Sequence, residues 1–257
     1  MTTNTDTDPD YAVLGVGSIA EAIVSGLCAA RPGRVIVLST RGADWAQRLA
    51  RLHPEVRVAD DNQQAIEAAG TVLVCLRAAD AAKVLGALAF GADQQVISVM
   101  PAPQLDDLAH LVAPATKVSR AIPALSVAER TGLTPVYPAF SAAQTLFDQL
   151  GSTMALDAEH LLDAASVASA TVASWFAYLQ QIAEWLAGQG VEAAQAQRLV
   201  GAVFAGAAAD LAHSADFGTL AAQHATPGGQ NERLLLALRR AGVFDAVSDG
   251  LDGLLKA

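Results

Sequence analysis

Residues Tyr11 to Leu27, Tyr-Ala-Val-Leu-Gly-Val-Gly-Ser-Ile-Ala-Glu-Ala-Ile-Val-Ser-Gly-Leu, decide the fold of this chain. An apolar run ends at Gly15, Gly17 follows, and Ala20 stands where a third small residue is needed, which makes a Gly-x-Gly-x-x-Ala fingerprint. Gly15 permits a turn that a Cβ would obstruct, and Gly17 lets the backbone approach a pyrophosphate. Ala20 allows close packing of helix on strand. Ser18 and Ile19 open a helix whose free N–H groups and positive dipole end suit a phosphate. The stretch therefore reads as buried strand, tight turn and amphipathic helix, with Ile19, Ile23, Val24 and Leu27 on the apolar face.

A second strand, Arg34 to Leu38, ends in Ser39-Thr40-Arg41. A site for NAD usually presents Asp or Glu here to hold the ribose 2′-hydroxyl. Two hydroxyls and a guanidinium, with no acid, favour a 2′-phosphate and hence NADP. An arginine on a solvated helix start is the plainer alternative.

The following residues keep alternating. Helices are expected at Ala43 to Leu52, Gln63 to Ala69, Ala79 to Leu88 and Gln104 to Leu111. Strands are expected at Val56 to Val58, Thr71 to Leu76, Gln95 to Met100, Lys117 to Ile122 and Gly132 to Tyr137. Continuous apolar strands between helices imply a parallel sheet covered on both faces. The fourth strand ends at Leu76 and Arg77, where ligands bind in open α/β sheets. Arg77 there contacts cofactor or substrate, or shields the sheet end. Met100-Pro101-Ala102-Pro103 ends the next strand, and Pro101 is placed in the wall of a nicotinamide pocket.

Beyond Gly151 no further strand is expected. From Glu159 the chain is rich in Ala and Leu at helical spacing: Trp175, Leu179, Ile182 and Leu186, then Leu199, Val203, Ala207 and Leu211. A final helical pair, Glu232 to Arg240 and Asp245 to Leu255, breaks at Gly242. The organisation read from sequence is a tail at residues 1–10, a Rossmann-like NADP-binding domain at 11–155 and an all-α domain at 156–257. Residues 1–10 lack a positive region and an apolar stretch, so they read as a disordered tail and not as a signal peptide. Alone, the helical half would expose much apolar surface, which implies pairing with a second copy as a homodimer, or as an assembly of such dimers. On helical spacing Trp175 and Tyr178 read as core or interface residues.

Composition sets further bounds. With 257 residues, 53% of them hydrophobic, the chain can build a sizeable core. A net charge of −10 argues against nucleic-acid binding, since little would neutralise phosphates along a groove. Ala164 to Ala183 carries no charge, but Ser166, Ser169, Thr171, Ser174, Gln180 and Gln181 are too polar for a lipid-facing helix. Cys28 and Cys75, each in apolar surroundings, read as small core residues of a protein in a reducing, cytoplasmic compartment. No Cys, His and Asp cluster has metal spacing.

Three stretches resemble the pyrroline-5-carboxylate reductase family, which reduces a cyclic imine to proline with NAD(P)H. They are Gly15-Val16-Gly17-Ser18-Ile19-Ala20, Arg120-Ala121-Ile122-Pro123, and Thr226-Pro227-Gly228-Gly229 followed by a helix and the Ala241-Gly242-Val243-Phe244 break. The resemblance implies that Thr226, Pro227, Gly228, Gly229, Gln230 and Asn231 cradle a substrate carboxylate. Successive backbone N–H groups, the Thr226 hydroxyl and the Asn231 amide would hold it, and Thr226 and Asn231 are the residues assigned to the reaction. A simple turn with Asn231 as helix cap is the plainer alternative. His224, just before the loop, is a candidate proton relay; His53, His110 and His160 read as surface residues.

The departures fall on the substrate side. The family's usual Thr-Thr after the loop glycines is Gln230-Asn231-Glu232 here, and its Ser-Gly-Ser-Gly-Pro-Ala-Tyr is Ser166 to Trp175. Its Asn after Arg-Ala-Met-Pro is Ala124, and its Lys-Pro is Arg77-Ala78. The three lysines, Lys83, Lys117 and Lys256, all lie off the long helix where hydroxyacid dehydrogenases of related architecture carry a catalytic lysine. Reduction of a C=N bond, first of pyrroline-5-carboxylate, is therefore expected over oxidation of an alcohol. A related imine substrate, or an NADP-binding protein without turnover, are the alternatives.

Overall fold

The computed structural model describes residues 10–40, 42–212 and 216–256. Residues 1–9, Arg41, residues 213–215 and Ala257 lie outside the described residues, and with them the expected tail apart from Asp10, whose N–H donates to the Val35 carbonyl. The chain divides into two compact units, one running through Ser166 and the other from Val167 onward.

The first unit alternates strand and helix: β1 (Tyr11–Leu14), α1 (Ser18–Ala30), β2 (Ile36–Leu38), α2 (Ala43–Leu52), β3 (Val56–Val58), α3 (Asn62–Glu67), β4 (Thr71–Val74), α4 (Ala78–Leu85), β5 (Gln95–Ser98), α5 (Leu105–Leu111), β6 (Lys117–Ala121), β7 (Gly132–Tyr137), α6 (Ser141–Asp148), β8 (Gly151–Ala155) and the start of α7 (Glu159–Ser169). The sheet order is β3-β2-β1-β4-β5-β6-β7-β8. Side-chain alternation along β1 explains why both faces are covered. Tyr11 and Val13 join a core with Ile23, Leu27 and Leu73, while Ala12 and Leu14 join one with Val72, Val74 and Leu85.

Two expectations from the sequence are corrected here. The sheet is not wholly parallel, because β7 runs antiparallel to β6, pairing Arg120 with Tyr137. Strands also continue past Gly151: β8 pairs parallel with β7 from Gly132–Gly151 to Val136–Ala155. As an edge strand with four exposed residues of five, β8 lacks the apolar run that marks a buried strand. The first unit ends within α7, later than the 155/156 boundary drawn where strands cease to be legible. The start of α7 is tied down by Arg120, whose guanidinium donates to Glu159 and Asp163.

The second unit is helical: the end of α7, α8 (Thr171–Gly188), α9 (Ala193–Ala209), α10 (Phe217–His224), α11 (Gln230–Arg240) and α12 (Val243–Leu255). The uncharged stretch at Ala164 to Ala183 is divided between α7 and α8 at Ala170. The core of this unit is small. Ala183, Ala196 and Val200 are buried with Leu179, Ile182, Leu186 and Phe204 against them, and Tyr178 meets Phe204 edge-on at 6.0 Å. Among the described residues, no helix is long and apolar enough to cross a membrane.

Candidate functional site

The strand order reverses between β1 and β4, and this switch point brings the C-terminal ends of β1, β2, β4 and β5 together. Each of those strands hands a residue to its neighbour: Ser39 N–H donates to the Val13 carbonyl, Cys75 N–H to Leu14, and Val99 N–H to Val74. The Gly15–Ala20 turn, Ser39, Thr40, Leu76, Arg77 and Pro101 therefore border one crevice.

The turns interlock. Gly15 has φ +82°, and a Cβ on it would lie 2.9 Å from the Cys75 carbonyl oxygen and 2.8 Å from Leu76 Cδ2. Its N–H donates to Ser39 Oγ at 2.9 Å. Ser39 is fully buried, so its hydroxyl supports the turn from beneath. Thr40 is exposed, and Arg41 lies outside the described residues.

Gly42 was not foreseen. It has φ +85°, and a Cβ there would fall 2.0 Å from the Val16 carbonyl oxygen, so the turn after β2 rests directly on the turn after β1. The signal was available: a glycine directly after the hydroxyl–guanidinium run that ends β2.

The N terminus of α1 offers a place for phosphate. Its N-cap is Gly17, which has no side chain to accept from the first turn. A Cβ on Gly17 would meet nothing within 4 Å. The leading N–H groups of α1 thus have no capping side chain, and the space beside Gly17 is open to an anion. Ser18 is exposed, Ile19 half-buried and Ala20 buried. Glu21, the acid in this first turn, is paired with Arg48 on α2. The residues present fit a dinucleotide pyrophosphate.

The far side of the crevice is anchored by Arg120. Its side chain is fully buried, and it donates to the Pro101 carbonyl at 2.5 Å, to Gln104 Oε1 at 2.5 Å, to Asp163 at 3.1 Å and to Glu159. Glu159 also accepts from Leu105 N–H at 2.6 Å. The loop that carries Pro101 is fixed by this one guanidinium. Leu76 is buried, whereas the Arg77 side chain is 83% exposed and donates to Asp80 at 2.9 Å.

In the second unit, Thr226 to Gly229 turn the chain between α10 and α11. Gly228 has φ +74°. Gly229 N–H donates to the Thr226 carbonyl at 2.8 Å. Gln230 and Asn231 form the first turn of α11, and its N-cap is Gly229, not Asn231. The Asn231 amide donates to the His224 carbonyl at 3.0 Å, closing the loop onto the preceding helix. His224 Nε2 lies 3.0 Å from Asp210 Oδ2. Glu232 was also unforeseen: its carboxylate accepts from Gly228 N–H at 2.7 Å.

Cys28 and Cys75 are unpaired and pack against the core of the first unit. Burial pushes the Cys75 thiol up to about 12 and raises Cys28 as well. Among the described residues, no group of three His, Cys, Asp or Glu side chains could hold a metal ion.

Residues 10–102 match the family model described as NADP oxidoreductase, coenzyme F420-dependent. Residues 159–256 match the one described as pyrroline-5-carboxylate reductase dimerisation. The helical part of the chain thus matches a pyrroline-5-carboxylate reductase dimerisation family. With its first unit matching an NADP oxidoreductase model, the protein is an NAD(P)-dependent oxidoreductase.

Solved structures share this fold across the length of the chain. A pyrroline-5-carboxylate reductase from Streptococcus pyogenes is 21% identical, with a TM-score of 0.82 over 96% of each chain. The pyrroline carboxylate reductase of Plasmodium falciparum, with NADP bound, is 14% identical, with a TM-score of 0.78 over 97% of this chain and 96% of that one. A reductive aminase from Aspergillus terreus, in complex with NADPH and ethyl levulinate, is 17% identical, with a TM-score of 0.65 over 97% of this chain and 90% of that one. No curated protein matches the sequence.

Proposed function

We propose that this protein uses NADPH to reduce the C=N bond of a small imine. The observation that carries the reading is the uncapped N terminus of α1 at the β1/β4 switch point, in a chain whose helical half matches an imine-reducing family. Bound NADPH supplies the hydride. The chain's own residues do the rest: Gly17, Ser18, Ile19 and Ala20 hold the pyrophosphate, and the Pro101 loop, clamped by Arg120, walls the nicotinamide. A cyclic imine protonates readily in water, so placement and exclusion of water suffice without a strong side-chain acid.

Arg41 and Thr40 are proposed to favour the 2′-phosphate. Arg41→Ala is expected to weaken NADPH binding at least tenfold more than NADH binding; equal loss of both would remove Arg41 from the site.

Pyrroline-5-carboxylate, giving proline, is the substrate that the match to the dimerisation family puts forward, with Thr226 to Asn231 as its binding loop. An imine with a different substituent is the second reading, favoured by Glu232, whose carboxylate takes up a loop N–H. Loss of NADPH absorbance across a panel of cyclic and acyclic imines tests the reaction class. If none is reduced although NADPH binds, the reading falls and a binding role remains.

The second unit exposes Trp185, Phe217, Val203, Leu199 and Phe176, each more than half accessible. Together with the match to a dimerisation family, this supports a homodimer in which these faces are covered. Two unpaired thiols are in keeping with a reducing compartment such as the cytoplasm.

A further inference from the structure

Three contacts tie the turn and helix after β2 to the fingerprint turn. Ser39 Oγ accepts from Gly15 N–H at 2.9 Å, and Gly42 lies so close to Val16 that a Cβ would fall 2.0 Å from its carbonyl oxygen. The third contact is an ion pair, in which Arg48 on α2 donates to Glu21 on α1. The first two shape the turn. The third sets its charge.

Glu21 is the fourth residue of α1, and its N–H closes the first helical bond, onto the Gly17 carbonyl at 2.9 Å. Helical side chains lean toward the N terminus. The Glu21 carboxylate therefore belongs to the same first turn as the N–H groups proposed to hold the pyrophosphate. A carboxylate there is favoured by the helix dipole, but it repels an arriving phosphate. Arg48 cancels that charge. Its guanidinium lies over the Trp45 ring, 4.5 Å from the centroid, and Trp45 stands three residues earlier on the same face of α2. Trp45 in turn packs against the core of the first unit. The Arg48 side chain is 49% exposed and that of Glu21 27%, so the pair adds little to stability.

We propose that Arg48 is a positioning residue for the dinucleotide: by neutralising Glu21 it leaves the first turn of α1 free to bind a phosphate, whichever nicotinamide cofactor carries it. This inference rests on the reading of α1 as the pyrophosphate site.

Calorimetric titration of NADPH and of NADH into wild type, Arg48→Met, Glu21→Gln and the double variant tests it. Methionine keeps an apolar stem over Trp45, so the urea midpoint should stay near that of the wild type. Arg48→Met should weaken both cofactors alike, by about fivefold or more at low salt. The loss should shrink at about 0.5 M NaCl, where exposed charges are screened. Adding Glu21→Gln to Arg48→Met should restore the affinity, although it cannot restore the lost contact between the helices. A merely structural role for Arg48 would give no such rescue. No loss in Arg48→Met, a loss confined to NADPH, or a loss that Glu21→Gln does not repair overturns the proposal.

Gly17→Ala, titrated alongside, separates this from a failure of the site. If Gly17→Ala binds poorly and Arg48→Met binds as the wild type does, the pyrophosphate site stands and the role of Arg48 falls. If neither variant loses affinity, the phosphates bind elsewhere and both readings fall.

Discussion

Gly15 donates its N–H to Ser39 Oγ at 2.9 Å, so the hydroxyl that ends β2 holds the turn that ends β1. Ser39→Ala leaves that buried donor without a partner. The expected loss of stability is about 1–3 kcal/mol, read by urea denaturation, with a several-fold weaker NADPH complex. Unchanged stability would mean that the turn holds its shape without Ser39.

Gly15 and Gly17 answer to different demands, and alanine separates them. At Gly15, φ is +82° and Cβ would strike the Cys75 carbonyl at 2.9 Å, so Gly15→Ala should destabilise the folded protein itself. At Gly17, φ is −135° and the space is open. Gly17→Ala should therefore keep stability within about 1 kcal/mol, as a change at an unstrained exposed position does. It should nonetheless cost at least tenfold in NADPH affinity, because the new methyl stands where the pyrophosphate approaches. Equal NADPH affinity in Gly17→Ala would place the phosphates elsewhere.

Arg120 is the only positive charge facing Glu159 and Asp163 among the described ion pairs. Arg120→Met should cost about 3 kcal/mol, the lower end of the range for breaking a buried pair, because both carboxylates are about a quarter exposed. Adding Glu159→Gln and Asp163→Asn should recover part of that loss, measured as a shift in denaturant midpoint. No recovery would show that Arg120 acts through its contact with the Pro101 carbonyl alone.

Burial of Cys75 couples stability to alkaline pH. Its thiol is pushed up to about 12 in the folded protein from an ordinary 9.0. Above pH 9 the unfolded chain releases a proton that the folded chain keeps, so stability falls as pH rises through this window. The slope is about 1.4 kcal/mol per pH unit for one thiol, and Cys28 adds to it in the same direction. Cys75→Ala should flatten the decline of the urea midpoint between pH 9 and pH 10. An unaltered slope would contradict the assignment.

The glycine fingerprint and the strand–helix alternation were legible because both are local: turn chemistry and periodicity lie within a few residues. The direction of β7 and the existence of β8 were not. An exposed edge strand such as Gly151–Ala155 gains its structure from pairing with β7, which no local pattern records. The Arg120-Ala121-Ile122-Pro123 motif was visible, but not that Arg120 would be buried, since its carboxylate partners lie 39 and 43 residues away. A hydroxyl at a strand end is also a support, and the bond from Gly15 N–H to Ser39 is a contact across turns that no local pattern records. Gly42 and Glu232 stood in plain view beside residues that were singled out. What hid them was that their effects are collisions and hydrogen bonds across turns.

Transfer of deuterium from NADPH carrying the label at both C4 positions of the nicotinamide to a cyclic imine, followed by mass spectrometry of the amine, tests the central claim most directly. The account predicts one deuterium on the former imine carbon, with NADPH consumed in equal amount. An amine without label, or no amine although the labelled cofactor binds, would contradict it.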